Sequence, residues 1–304
     1  MIVILGFSKA VTDGSRWRLL QVSIQNPTIM TNLKFETEFT KRHPERAHLI
    51  KFMREAIGKD EVEWSDLTKV NLLNVCDHFK NNMAANSART YFATLCGFLN
   101  LYSEEGLVPC NRPNDVLKVK KDPTENVVLS EDEIALIEAY NPKTEAEKHI
   151  KAQFLCEYYS LARQSDVLAM TDDNIRDGYI SYISKKTHVL TKVPLHRNFI
   201  TYLHQKGKAY HRASYDRVIK NICKEVGINK QIKLMYRGKE MIEPKYKFIA
   251  SHTARRSAAT TLAKRNVPIT TISKLMGHKS IVQTYTYIIT DIEDLDKSAM
   301  SFFG

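Results

Sequence analysis

The chain has 304 residues and 43% hydrophobic content, enough to bury a substantial core and to build two domains of ordinary size. Its 45 Lys and Arg against 34 Asp and Glu leave a formal net charge of +11, which favours a polyanionic partner, although a merely basic soluble surface has the same balance. Five scattered cysteines, with no C-x-x-C pair and no Cys/His cluster, argue against a zinc site or a disulfide scaffold and for reduced core thiols in a cytosolic protein.

The apolar opening Met1 to Phe7 has no basic region before it, and Lys9 interrupts it far short of a membrane span, so neither export nor a membrane partner is expected. Residues 1–34 read as a loose N-terminal arm or an over-extended start. Over 35–112 the sequence spells a set of short amphipathic helices. The first expected helix runs from Pro44 to Ile57, with Ala47, Ile50, Phe52, Met53 and Ile57 as its stripe. A capping turn at Trp64-Ser65-Asp66 precedes the second, Leu67 to Phe79. A third follows Asn86-Ser87, repeats Tyr91, Leu95, Phe98, Leu99 and Tyr102, and stops near Gly106.

Residues 113–128 carry Lys118, Lys120 and Lys121 among Asp, Pro and Asn with no apolar period, the composition of a solvated basic linker. Ser130 and Glu133 have the spacing of a capping box, so a second domain over 129–304 is expected to open on a helix there. A longer helix from Ala146 to about Leu161 turns Ile150, Phe154, Leu155 and Tyr158 inward and leaves Arg163 just past its end. Between 178 and 195 the pattern changes to two short β-rich runs separated by Lys185-Lys186-Thr187. Helices resume at 196–206, 214–226, 251–265, 269–276 and about 280–288. The fold class that follows is mainly α: an all-helical N-terminal domain, then an α+β domain with a small antiparallel sheet.

The last sixth of the chain concentrates chemistry. His252 and Arg255 stand three apart on one helix face, with Ala254, Ala258 and Leu262 on the buried side. Gly277 sits where a left-handed residue ends a helix and directs His278 out of the turn. Tyr285 and Tyr287 lie roughly 200° apart around a helix axis, so only one can face the pocket of His252 and Arg255. Taken singly, H-x-x-R is usually an incidental surface pair and Gly-His a cap.

Jointly, H-x-x-R, Gly-His and a tyrosine nine positions beyond that histidine resemble the tyrosine recombinase (phage integrase) family. Leu161-Ala162-Arg163-Gln164-Ser165-Asp166 is similar to its first arginine box, and Ile183 to Thr187 before Val193-Pro194-Leu195 to its lysine hairpin. The resemblance covers roughly residues 35–304. Two departures stand out. The usual glycine two residues before the first arginine is Leu161, and the family's H-x-L-R-H is His252-Thr253-Ala254-Arg255-Arg256, as in integrases of Bacteroidetes phages and mobile elements.

The resemblance implies a SAM-like core-binding domain at 35–112 and a DNA breaking-rejoining fold at 129–304, closing as a clamp on duplex DNA. It implies four protomers on two sites, linked by exchange of a C-terminal tail within 289–304. The implied catalytic set is Arg163, Lys186, His252, Arg255, His278 and Tyr287, acting through a 3′-phosphotyrosyl intermediate with no metal and no cofactor. Accessory bending or directionality proteins and a cytoplasmic, nucleoid-associated setting also go with the family. Integration or excision of a mobile element is the expected role. Chromosome dimer resolution, DNA inversion and a non-cutting regulator on the same scaffold stay open.

Overall fold

The computed structural model describes residues 33–122, 124–236 and 238–288, so the expected arm, except for its last two residues, and the expected exchange tail at 289–304 lie outside it. The chain divides after Asp122 into two compact units. No helix among the described residues is long and apolar enough to cross a membrane.

The first unit holds α1 (Phe35–Arg42), α2 (Leu49–Ile57), α3 (Lys69–Asn82), α4 (Ala85–Ser103) and the single turn α5 (Pro113–Val116). Helix α1 escapes the pattern reading because only Phe35 and Phe39 of its eight residues are apolar, yet both rings are buried against Trp64 and Phe98. The single helix expected from Pro44 is instead a 3-10 turn, Pro44–Arg46, followed by α2. Thr68, not the Trp64 turn, caps α3, its hydroxyl accepting from the Asn71 amide at 3.3 Å.

The expected linker at 113–128 is the main correction. Pro113, Val116 and Leu117 are buried in the first unit's core, and the Asn86 side-chain amide donates to the Asp122 carbonyl at 3.3 Å. Further on, Glu125 exchanges two 2.7 Å hydrogen bonds with the Met235 backbone, and Val127 joins the second core. A few apolar anchors at irregular spacing were enough to fix a stretch whose overall polarity reads as solvated.

The second unit is built around α7 (Glu145–Ser160), buried on nearly every side by α6 (Glu131–Ala139), α8 (Gln164–Ala169), α9 (Phe199–Gln205), α10 (Arg212–Glu225) and α11 (Ser251–Lys264). Ser130 and Glu133 form the anticipated reciprocal cap of α6, at 3.2 and 2.8 Å, an arrangement that contributes about 1 kcal/mol. An antiparallel sheet of β1 (Ile175–Arg176), β2 (Tyr179–Ile183) and β3 (Leu190–Pro194) pairs Tyr179 with Pro194 and Ile183 with Leu190. A second hairpin, β4 (Gln231–Tyr236) with β5 (Lys239–Pro244), was not anticipated, since its lysines and glutamates interrupt the alternation. Two short helices, α12 (Ile269–Leu275) and α13 (Ile281–Tyr285), follow α11. All five cysteines are buried and free.

Candidate active site

Helix α7 ends on Leu161 with a left-handed backbone, φ +50°. That conformation costs a non-glycine residue roughly 1 kcal/mol, but it brings the Leu161 side chain into the core at 5% exposure and aims its carbonyl at α11. Two residues on, Arg163 leaves the N-terminus of α8 with its side chain almost covered. Its Nη1 donates to Ser184 Oγ at 2.9 Å, and Ser184 Oγ in turn donates to Asp166 Oδ2 at 3.2 Å. The Lys185 amide donates to Asp166 Oδ1 at 2.9 Å. Buried Asp166 thus anchors the end of β2 beside Arg163. Its place three residues after Arg163, on the same helical face, was the signal available in the sequence.

Arg255 is 0% exposed, the largest side chain so enclosed in the described residues. Its Nη1 donates to the Leu161 carbonyl, and its Nη2 donates to the Met276 carbonyl at 2.6 Å and lies 3.1 Å from His278 Nε2. Burial, and then the charge of nearby Arg163, push this guanidinium below its ordinary range. Two cations held close in a desolvated pocket, with no carboxylate among the described residues paired to Arg255, form a site that favours an anion.

Gly277 has φ +59°, and a Cβ there would lie 2.4 Å from Thr191 Oγ1 on β3, so both conformation and close approach require glycine. The Gly277 carbonyl accepts from Thr187 Oγ1 at 3.2 Å, which docks the β2–β3 turn on the Gly-His turn. His278 Nδ1 lies 3.0 Å from Thr284 Oγ1. Because a guanidinium can only donate, Nε2 accepts from Arg255 and the neutral ring carries its proton on Nδ1. Burial, then Arg255 and Arg163, push His278 down to about 4.

Tyr287, just beyond α13, is half-buried with its ring centroid 5.1 Å from that of His278 and 5.8 Å from Arg255 Cζ. Tyr285 is 63% exposed, so of the two tyrosines it is Tyr287 whose ring lies against His278 and Arg255. His252 stands in the first turn of α11 with an exposed ring edge; burial of its inner side, then Arg256, Arg255, Arg212 and Arg163, hold it down to about 4. The structure therefore gathers Arg163, Arg255, His278 and Tyr287, with His252 in the same positive field. Lys186 is different. It is exposed in the β2–β3 turn beside Lys185, neither residue lying on a strand, and it makes no hydrogen bond or ion pair among the described residues.

Residues 127–293, more than half of the chain, match the Phage integrase family. The chain belongs to that family. It is a site-specific tyrosine recombinase. Among solved structures, a lambda integrase dimer bound to a COC′ core site superposes with a TM-score of 0.60 at 18% identity, over 90% of this chain and 93% of that one. A lambda integrase tetramer bound to a Holliday junction gives 0.58 at 16%, over 86% and 74%. The Tn1549 transposon integrase in complex with transposon right end DNA gives 0.60 at 12%, over 90% and 100%. At these identities the likeness carries the fold, mainly helical with a small antiparallel sheet. No curated protein sequence matches the chain.

Within this recombinase the arginine box and the H-x-x-R helix are joined through main-chain atoms. Arg255 reads the carbonyl of Leu161, the residue that replaces the family's usual glycine, so the first departure from the family lies inside the site. The second, Arg256, has its Cζ 5.6 Å from the Tyr287 ring centroid. Sequence reading had left Arg256 outside the site because nothing in the spacing places residue 256 near residue 287.

Proposed function

We propose that this recombinase breaks and rejoins duplex DNA with Tyr287 as nucleophile and Arg163 and Arg255 as the clamp on the scissile phosphate. The supporting observation is the gathering of two guanidinium groups, the His278 ring and the Tyr287 ring around one desolvated, positively charged pocket. Attack on a phosphodiester loads negative charge onto the non-bridging oxygens. Buried guanidinium donors that are already oriented by main-chain carbonyls stabilise that charge without reorganising during the step. Fixed positive charge of this kind supplies what a metal ion would, so the proposed reaction runs without one.

In the forward step the Tyr287 phenolic oxygen forms a bond to phosphorus and yields its proton to His252, which is neutral near pH 7 and able to accept. The bond to the 5′ oxygen breaks, and that oxygen takes a proton from Lys186 once the β2–β3 turn meets DNA. An incoming phosphate oxygen takes the place of His278 Nε2 as an acceptor for Arg255 Nη2; the neutral ring then carries its proton on Nε2, donating to the phosphate while Nδ1 accepts from the Thr284 hydroxyl. The product is a 3′-phosphotyrosyl bond and a free 5′ hydroxyl, which a second strand's 5′ hydroxyl can reverse.

The partner is duplex DNA, consistent with the net charge of +11 and with relatives solved on core-site and transposon-end DNA. The lambda tetramer on a Holliday junction supports four protomers acting together, and the integrase neighbours favour integration or excision of a mobile element in the cytoplasm. We assign the first helical unit to core-site binding and the second to catalysis. Incubation with a nicked suicide substrate tests the chemistry: the wild type traps a covalent adduct, and Tyr287→Phe binds the same DNA without trapping it. An adduct that survives Tyr287→Phe moves the nucleophile elsewhere; binding without any wild-type adduct identifies a non-cutting regulator.

A further inference from the structure

Arg256 stands where the family's motif carries histidine, and its part-buried side chain lies against the hydroxyl-bearing ring. The guanidinium carbon lies 5.6 Å from the Tyr287 ring centroid, matching the 5.8 Å of Arg255, so two successive residues of α11 present cations to one aromatic ring. The Arg256 Nε is buried and has no hydrogen-bond partner among the described residues. A cation stripped of water and left without a full set of acceptors is costly, and the aromatic face is the compensation on offer. Among the described residues, the charged and titratable groups facing the ring are Arg255 and Arg256 from α11 and His278 from the turn between α12 and α13.

Building on the assignment of Tyr287 as nucleophile, we propose that Arg256 is a positioning residue for the attack, holding the Tyr287 ring against α11 and favouring the phenolate character that develops as the P–O bond forms. The proton still passes to His252 and the 5′ oxygen still takes its proton from Lys186; Arg256 neither gains nor loses one. Burial pushes the Arg256 guanidinium below its ordinary range and Tyr287 opposes that shift, which fits a cation close enough to sense the phenol directly. A histidine at this position would be uncharged near pH 7 and could offer packing without the fixed charge.

The test is single-turnover formation of the covalent adduct on nicked suicide DNA by the full chain, followed from pH 6 to 9.5 for the wild type, Arg256→Met and Arg256→Lys. Arg256→Met is expected to slow trapping about tenfold near neutral pH, the size of a desolvated cation–π contact. The deficit should shrink as the pH rises and removal of the proton from the attacking oxygen ceases to limit trapping. Arg256→Lys should recover most of the rate, and gel-shift binding should be unchanged in both. Trapping by Arg256→Met at the wild-type rate, or a deficit that is constant with pH and not recovered by lysine, overturns the proposal. If Arg256→Met does not fold, Arg256→Gln is read by the same criteria. The Tyr287→Phe control separates the two readings: an adduct in that variant sinks the nucleophile assignment, whereas a Tyr287-dependent adduct indifferent to residue 256 sinks only this inference.

Discussion

The two units bury polar groups in opposite ways. In the first, the interior is aromatic and its buried carboxylates are paired: Glu38 accepts from Arg42 Nε at 2.6 Å and from the Tyr102 hydroxyl at 2.8 Å, and Asp66 accepts from Lys59 and from the Glu63 amide. In the second, Arg255 and Glu157 are 0% exposed, and every buried side-chain atom left without a partner among the described residues lies here, including Glu157 Oε2, Arg255 Nε and Arg256 Nε. Native interiors rarely leave such atoms unmatched. A core that only had to be stable would resemble the first unit; on the proposed reading, the second keeps the arginine donors and the strained Leu161 backbone where a phosphate can use them.

The same exchange, arginine to lysine, made once in each unit should break or uphold that contrast most sharply. Lysine at 255 cannot reach the Leu161 and Met276 carbonyls together and still face an anion. Arg255→Lys is therefore expected to lower single-turnover cleavage by about 10²–10³, the usual loss for a pre-aimed anion donor, and to lower the melting temperature. Arg42→Lys in the first unit changes a part-exposed cation, keeps its contact with buried Glu38 and should cost about 1 kcal/mol with no effect on the chemical step. Equal catalytic losses from both substitutions would undo the comparison.

A subtler difference concerns leucine. Leu99 in α4 is 0% exposed within a regular helix, whereas Leu161 is buried with φ +50°. Truncating either to alanine opens a cavity worth about 2–5 kcal/mol. Glycine in place of alanine costs Leu99 about 1 kcal/mol more, through helix propensity. At position 161 glycine relieves roughly the same amount of left-handed strain. Denaturant unfolding should therefore rank alanine above glycine at 99 and glycine above alanine at 161. The same rank at both positions would show that the backbone of residue 161 carries no strain.

These contrasts also mark what the sequence could say. The site was legible because its side chains are charged or aromatic, stand at fixed spacings within helices, and follow turn signals such as Gly277; Arg163, Arg255, His278 and Tyr287 come together from four separate stretches. What escaped depends on long-range packing. Helix α1 was missed because two apolar residues in eight are too few to show a period, the β4–β5 hairpin because charged residues mask its alternation, and 113–122 because three buried anchors outweigh six polar neighbours only after the core exists. The contacts of Asp166 with the Lys185 amide and of Arg256 with the Tyr287 ring escaped for the same reason, since the partners lie far apart in sequence.

Acid should separate the units by a smaller margin and at different pH. His252 and His278 are held near 4 in the folded second unit against an ordinary 6.5, so between those values the unfolded chain binds protons that the native one refuses. Their contribution to stability is complete above about 6.5 and is lost as the pH falls toward 4. In the first unit, burial pushes Glu38 and Asp66 up, but hydrogen bonds from Arg42 and Tyr102 and from Lys59 and the Glu63 amide outweigh it, leaving both below their ordinary values of 4.5 and 3.8. That contribution persists until the pH drops through the carboxylate range. Peptide-resolved amide exchange, corrected for its intrinsic pH dependence, should thus show the second unit loosening between pH 6.5 and 4 while the first stays protected. Glu157 works against this order: burial raises it well above 4.5, so the native second unit takes up a proton on acidification and is steadied by it. Glu157→Gln removes that opposing uptake and should steepen the second unit's loss of protection without touching the first. If the first unit opens at the higher pH in both proteins, the histidines are not held down as the buried arginines require.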